Sequence, residues 1–170
     1  MKYEIRRATI DDLDAIFSII QRVGTEYANT SKFVCSKNKK VYENMILNSP
    51  AYVAVSEQGE IVGSLLLHQD SKDSEGVYKA AGLNSKEIST TIIFETCEVL
   101  PEHRGNGLQY LMCKQALKEL KAQKCYKKAV CTVHPDNKYS LRNVEKIGFK
   151  VVKLAKLYLG YDRYVLIKKI

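Results

Sequence analysis

The stretch "TIIFETCEVLPEHRGNGLQYLMCKQALKEL", with "KAVCTV" soon after it, restricts the fold more than any other part of the chain. "TIIFETCEVL" reads as a long, largely buried strand, rich in β-branched and apolar residues. It stops at Pro101, and a charged turn with Gly105 and Gly107 follows. Helical spacing then takes over, with an apolar stripe of Leu108, Leu111, Met112, Ala116 and Leu120. "KAVCTV" is a strand again. A strand, a helix and a strand in succession make a crossover, which sets two strands parallel in one sheet.

The remaining elements fill in around that crossover. "KYEIRRAT" reads as a first strand. Thr9 with Asp12 resembles a capping box ahead of a helix that carries Leu13, Ile16, Phe17 and Ile20 on one face. A polar stretch over residues 29 to 40 leads to a second helix near residues 40 to 47. "AYVAVS" and "IVGSLLLHQ" flank "EQGE", a hairpin signal. Residues 70 to 90 are polar and read as a loop, of a length that is usually functional or mobile in a compact domain. "HPDN" is a turn and cap, and "KYSLRNVEKI" is a short helix closed by Gly148. "FKVVKLAKL" and "DRYVLIKKI" are the last strands. The order β-α-α-β-β-β-α-β-α-β-β predicts an α/β fold, with one mixed, mostly antiparallel sheet and helices on both faces. The 170 residues show no linker or repeat and read as a single domain over 1–170.

Composition narrows the function classes. No run approaches the roughly 20 apolar residues of a membrane span, and the alternating N-terminus has no signal-peptide core. The expectation is a cytoplasmic protein with no membrane partner. The five cysteines form neither a CxxC pair nor zinc-finger spacing, so reduced thiols and no metal are expected. Charge is uneven. Residues 114 to 170 carry 15 Lys+Arg against 4 Asp+Glu, a net of +11, and residues 1 to 113 carry 12 against 15, a net of −3. A basic half fits a polyanionic partner, a phosphate-rich cofactor or a solvated lysine face.

The glycine turn has a physical use beyond reversing the chain. Gly105 and Gly107 allow positive φ and let a ligand approach the backbone. The helix after them offers unpaired N–H groups and a positive dipole end. Together these suit a phosphate, and Arg104 adds charge. No Lys-Ser/Thr follows Gly107, so the turn is not a Walker A loop. Tyr110 breaks the G-x-G-x-x-G pattern. Local physics alone leaves a phosphate cradle and a plain strand-helix turn both open.

"VLPEHRGNGLQ", followed by a strand and then "HPDNKYSLRNVEKIGF", resembles the GNAT superfamily of N-acetyltransferases. The first segment is similar to that family's acetyl-CoA motif, R/Q-x-x-G-x-G/A, at Arg104, Gly107 and Gln109. Gln109 departs from it, standing where Gly or Ala is usual. The second segment is similar to the family's next motif, an Asn opening a short helix that closes on "GF". The resemblance implies a GNAT-like acyl-CoA N-acyltransferase fold with acetyl-CoA as co-substrate and no metal. It implies that the amides of Arg104, Gly105, Asn106, Gly107, Leu108 and Gln109 hold the pyrophosphate. The strand ending at Val99 splays from "KAVCTV", and the pantetheine arm lies in the gap beside Val99. Asn137 and Ser140 lie near the pantetheine or adenine end.

The reaction implied is direct transfer of an acetyl group to a primary amine within a ternary complex. An alkylamine is mostly protonated at neutral pH, so a base must take a proton. Glu95 is the first candidate. It lies four residues before Val99, so alternation puts both on one strand face, and polyamine acetyltransferases of the superfamily have a Glu at the matching position. Its other reading is a partner for a lysine or arginine. Glu98, expected on the opposite face, and His134 are the second and third choices. Val99 is implied as the amide that stabilises the developing oxyanion. The helix position where many members carry a Tyr is Val144, so Tyr139, Tyr158 and Tyr161 remain as possible acids. Cys97 and Cys131 fall near this site and read as small buried hydrophobes. Residues 29 to 40 and 70 to 90 would flank the acceptor pocket, with Glu26, Tyr27, Asp70, Asp73 and Glu75 available to an amine. The acceptor is a small amine, an amino acid, a peptide N-terminus or a lysine, and the protein a monomer or homodimer. Two rival readings are an acyl-CoA-binding regulatory module without catalysis and a nucleic-acid-binding domain. The second lacks any recognition motif.

Overall fold

The computed structural model describes residues 2–28, 30–69 and 74–170. The strands are β1 (Tyr3–Arg7), β2 (Ala51–Ser56), β3 (Ile61–His68), β4 (Thr91–Val99), β5 (Lys128–Val133), β6 (Lys150–Leu157) and β7 (Tyr161–Lys169). The helices are α1 (Leu13–Glu26), α2 (Lys39–Asn48), α3 (Glu75–Ala80), α4 (Ser85–Ile88), α5 (Leu108–Gln123) and α6 (Lys138–Lys146). The strands form one sheet in the order β1-β2-β3-β4-β5-β7-β6. Every pairing is antiparallel except β4 with β5, the pair that the crossover through α5 requires.

Alternation along the strands separates two cores. On β2, Tyr52 and Ala54 face α5, where Leu108, Met112, Ala116 and Leu120 are buried. Ala51 and Val53 face α1 and α2, against Ile16, Ile20 and Tyr42. Each such fully buried Leu or Ile contributes about 1.5–3 kcal/mol relative to an exposed one. Of the expected α5 stripe only Leu111 turns outward, and Cys113 and Leu117 complete the buried face. A third cluster joins Val77 and Tyr78 of α3 to Ile93, Val130 and Val165.

That cluster corrects the reading of residues 70 to 90 as loop. Within the described part of the segment, α3 and α4 form. Their apolar residues are too few for a periodic pattern, but Val77 and Tyr78 seal the sheet beside β4 and β5. Asn84 caps α4 by accepting from the Glu87 amide at 3.1 Å. Asn29, Asp70 and Asp73 lie outside the described residues.

Candidate active site

The site begins where the parallel pair comes apart. β4 and β5 are paired from Thr91 opposite Lys128 to Phe94 opposite Cys131, and no further. β5 goes on pairing with β7 to Val133, and β4 goes on pairing with β3 to Val99. The carboxyl ends of the two parallel strands therefore diverge, the place where open α/β sheets bind ligands. The cavity that reaches into this gap measures about 610 Å³, within the usual range for small-molecule sites.

A bulge sets what the β4 wall presents. Leu66 of β3 lies opposite Thr96 and Leu67 opposite Phe94, which leaves Glu95 as the extra residue. A bulge shifts the alternation phase of its strand. Before it, Ile92 and Phe94 face α5, and after it Cys97 and Val99 do. Glu95 therefore does not share a face with Val99, and Glu98 does not oppose Glu95, as strict alternation predicts. Both carboxyls line the cavity, and the Glu95 charge adds to burial in raising Glu98.

The two acids sit in different environments. Glu95 is partly open to the cavity, and its carboxylate lies 3.1 Å from Nε2 of the buried His68. The His68 Nδ1 faces the Ser74 hydroxyl at 3.5 Å. The partner of Glu95 is thus a histidine, not a lysine or arginine. Glu98 is 3 % exposed. Burial pushes its carboxyl up to about 8, only partly offset by the hydroxyl of Ser64. Ser64 reaches one oxygen at 3.4 Å, while the other oxygen and the Thr96 hydroxyl have no partner among the described residues.

Val99 turns its backbone to the gap. The Leu100 amide donates to Val62 of β3 at 2.9 Å, and successive amides point to opposite strand edges, so the Val99 N–H faces away from β3. The Val99 carbonyl accepts from Arg104 Nε at 3.2 Å. A 3-10 turn over Pro101–His103 follows, then Gly105 and Gly107 at φ +82° and +71°. A Cβ on either would meet nothing within 4 Å, so the backbone lies open to ligand. No amide of residues 107 to 109 has an acceptor in the chain among the described residues.

Arg104 does not point its charge along that crest. Both its terminal nitrogens hold Glu26, each at 2.7 Å, and the pairing keeps Glu26 below the usual carboxylate range. Glu26 is thus engaged and not a free receptor for an amine. Gln109 turns sideways to α6: its Nε2 donates to the Ser140 hydroxyl at 2.9 Å, and its Oε1 accepts from Asn143 at 2.8 Å. Asn137 caps α6 by accepting from the Ser140 amide at 3.1 Å. Gln109, Asn137, Ser140 and Val144 all line the cavity.

The remaining wall comes from β5, β7 and the β6–β7 turn. Nδ1 of His134 accepts from the Asp136 amide at 3.1 Å, so Nε2 carries the proton toward Ser31 Oγ at 2.9 Å. Burial, with Arg163 beside it, holds this imidazole below its usual range. Tyr158, at φ +47°, heads a run of three left-handed residues with Leu159 and Gly160. That strained turn aims its ring into the cavity, where its hydroxyl lies 3.2 Å from Thr132 Oγ1. Tyr139 is exposed at the surface and Tyr161 does not line the cavity, so of these three tyrosines Tyr158 is the one brought to the site. The Glu75 side chain does not line it either. Cys97 and Cys131 do, with thiols pushed up, for Cys97 by Cys113 and burial and for Cys131 by burial. Both fit inert packing.

Sequence reasoning missed His68 and Arg163. The signal for Arg163 was present: period two sets it on one face with Val165 and Ile167, an arginine on an apolar face. Among the described residues no cluster of side chains suits a metal ion and no helix is long and apolar enough to cross a membrane.

The same architecture recurs in solved acetyltransferases. One of the GNAT family from Streptococcus pneumoniae superposes with a TM-score of 0.75 at 18 % identity, covering 99 % of each chain. A GNAT superfamily phosphinothricin acetyltransferase from Sinorhizobium meliloti, solved with acetyl-CoA, gives 0.74 at 15 % identity, over 100 % of this chain and 89 % of the other. Ribosomal-protein-alanine N-acetyltransferase from Brucella melitensis gives 0.75 at 18 % identity, over 98 % and 99 %. These likenesses concern the fold. No curated protein matches the chain. The acetyltransferase (GNAT) family model matches residues 13–149, from the start of α1 through the helix that closes on "GF", and the chain belongs to that family.

Proposed function

We propose that the protein is an acetyl-CoA-dependent N-acetyltransferase, a single domain over 1–170 that moves an acetyl group to a primary amine by direct transfer. The observation that carries this reading is the gap between β4 and β5. It is bounded by the free amides of Val99 and of residues 107 to 109, and Glu95 stands on its wall. The residues fit the co-substrate. The open crest at Gly105, Asn106, Gly107, Leu108 and Gln109 suits a pyrophosphate, with Arg104 bracing the turn. The unpaired edge of β4 suits an extended amide-bearing arm, with Asn137 and Ser140 along its other side. Bound there, acetyl-CoA supplies a thioester acyl group.

The chain's own groups then handle protons and charge. Glu95 removes a proton from the acceptor ammonium, directly or through water, and His68 holds its carboxylate in place. Glu98, its carboxyl pushed up to about 8 by burial, is mostly protonated at neutral pH, which favours Glu95 as the base. The Val99 amide donates to the oxygen on which charge develops. As the C–S bond breaks, the departing thiolate takes a proton from Tyr158, which stands where Val144 cannot serve, or from water; burial raises the Tyr158 phenol, so it rests protonated.

Isothermal titration with acetyl-CoA and thiol release with an amine panel test the proposal together. Binding with turnover of at least one amine is the expected result. Absence of acetyl-CoA binding, with Gly107→Trp behaving like the parent protein, would sink it.

A further inference from the structure

One cation in the cavity has no part in the chemistry above. Arg163 is 4 % exposed. Its guanidinium donates to two backbone carbonyls, Ser31 at 2.7 Å and Asp162 at 3.1 Å, and lies 5.6 Å from the centre of the Tyr158 ring. No carboxylate reaches it among the described residues. The Asp162 side chain is drawn off by Lys156 at 2.9 Å, Glu26 by Arg104 and Glu95 by His68. Burial without a counter-ion holds this guanidinium below its usual range. Such a group is costly unless an anion completes it, and a guanidinium has five donors to offer, in a fork that matches a carboxylate. Arg163 and Glu95 line the same cavity. The Tyr158 phenol feels both charges, raised by Glu95 and lowered by Arg163.

We infer that Arg163 receives a carboxylate of the acceptor, and that the acceptor is a free amino acid held with its amino group at Glu95 and its carboxylate at Arg163. The inference rests on the acetyltransferase reading and narrows it. Simple alkylamines have no group for Arg163, and peptide N-termini have none close to the amine. A purely structural Arg163, tying Ser31 to β7, would change all acceptors alike when replaced. The discriminating quantity is therefore the ratio of activity on an acid to activity on its carboxamide.

The experiment compares the common α-amino acids with their carboxamides and their decarboxylated amines, by CoA release. For the acid that is used best, kcat/KM exceeds that of its carboxamide by about 30-fold, as charge-assisted hydrogen bonds give. In Arg163→Met that ratio falls to within about threefold while the KM for acetyl-CoA stays put. Arg163→Lys keeps part of it, since an ammonium keeps the charge and loses the fork. Should the Met variant fail to fold, titration of the same acids and carboxamides onto CoA-loaded parent protein gives the comparison without it. Amides or simple amines used as well as acids would overturn the inference. So would an unchanged ratio in Arg163→Met, or no amino acid bound or acetylated by protein that binds CoA. Failure to bind acetyl-CoA at all is a different result and strikes the reading beneath.

Discussion

At the scale of single residues, the two acids on β4 differ in environment. Glu95 is open to the cavity and hydrogen-bonded to His68, while Glu98 is sealed against Ser64. Glu95→Gln should lower kcat by about a hundredfold, the low end of general-base effects, with the KM for acetyl-CoA unchanged. Parental kcat in that variant would remove Glu95 from the mechanism. Glu98 makes a separate prediction about stability. Its folded carboxyl sits near 8 and its unfolded one near 4.5, so the fold binds the extra proton. Any stability it contributes is present below pH 4.5 and is lost as pH rises through 8. Glu98→Gln mimics the protonated acid and should match the parent near pH 5, then exceed it by pH 9, by on the order of a few kcal/mol. Thermal unfolding at pH 5, 7 and 9 reads this directly, and a pH-independent difference would contradict the burial argument.

Between residues and the molecule lie the turn and the bulge, and they were legible to different degrees. The strand, the two glycines and the helix of the crossover stand plainly in the sequence, because a strand end, positive φ and apolar periodicity are local properties. The bulge at Glu95 is not local. It exists only in the pairing of β4 with β3, and it reverses which face Val99 and Glu98 occupy. Arg163 shows the same limit: its position on an apolar face is visible, but its lack of a carboxylate partner depends on where Asp162 and Glu95 find theirs. Helices α3 and α4 were hidden by their shortness, since six and four residues show no period. For the turn, Gly107→Ala gives the element-scale prediction. Its Cβ meets nothing within 4 Å, so the cost is the left-handed φ of +71°. That amounts to about 1–2 kcal/mol, visible in thermal unfolding. It comes with a weaker acetyl-CoA Kd by titration, because a methyl group now stands on the crest. Unchanged affinity would detach the turn from pyrophosphate binding.

For the whole molecule, the question is what the basic half does. The sequence-level asymmetry admits either a polyanion along a charged face or a few contacts to a phosphate-rich cofactor. The fold separates these. Lys114, Lys118, Lys121, Lys168 and Lys169 gather where α5 meets the end of β7, around a shallow hollow of their own. None of them lines the cavity between β4 and β5. On the proposed site acetyl-CoA meets the backbone crest rather than this lysine group, and its affinity should weaken only gently with salt. Lys118→Gln combined with Lys121→Gln should leave the acetyl-CoA Kd within about twofold, since exposed charges beyond a Debye length of roughly 10 Å are largely screened. A nucleic-acid function makes the opposite demand. Several phosphates neutralised together give a steep fall of log K with log salt, by about 0.9 per contact on a duplex. The same double substitution would flatten that slope. Titrating a duplex oligonucleotide and acetyl-CoA side by side from 50 to 200 mM salt separates the two. A shallow acetyl-CoA slope indifferent to the lysines assigns the +11 to solvated surface, and a steep, lysine-dependent oligonucleotide slope would give that face a second partner.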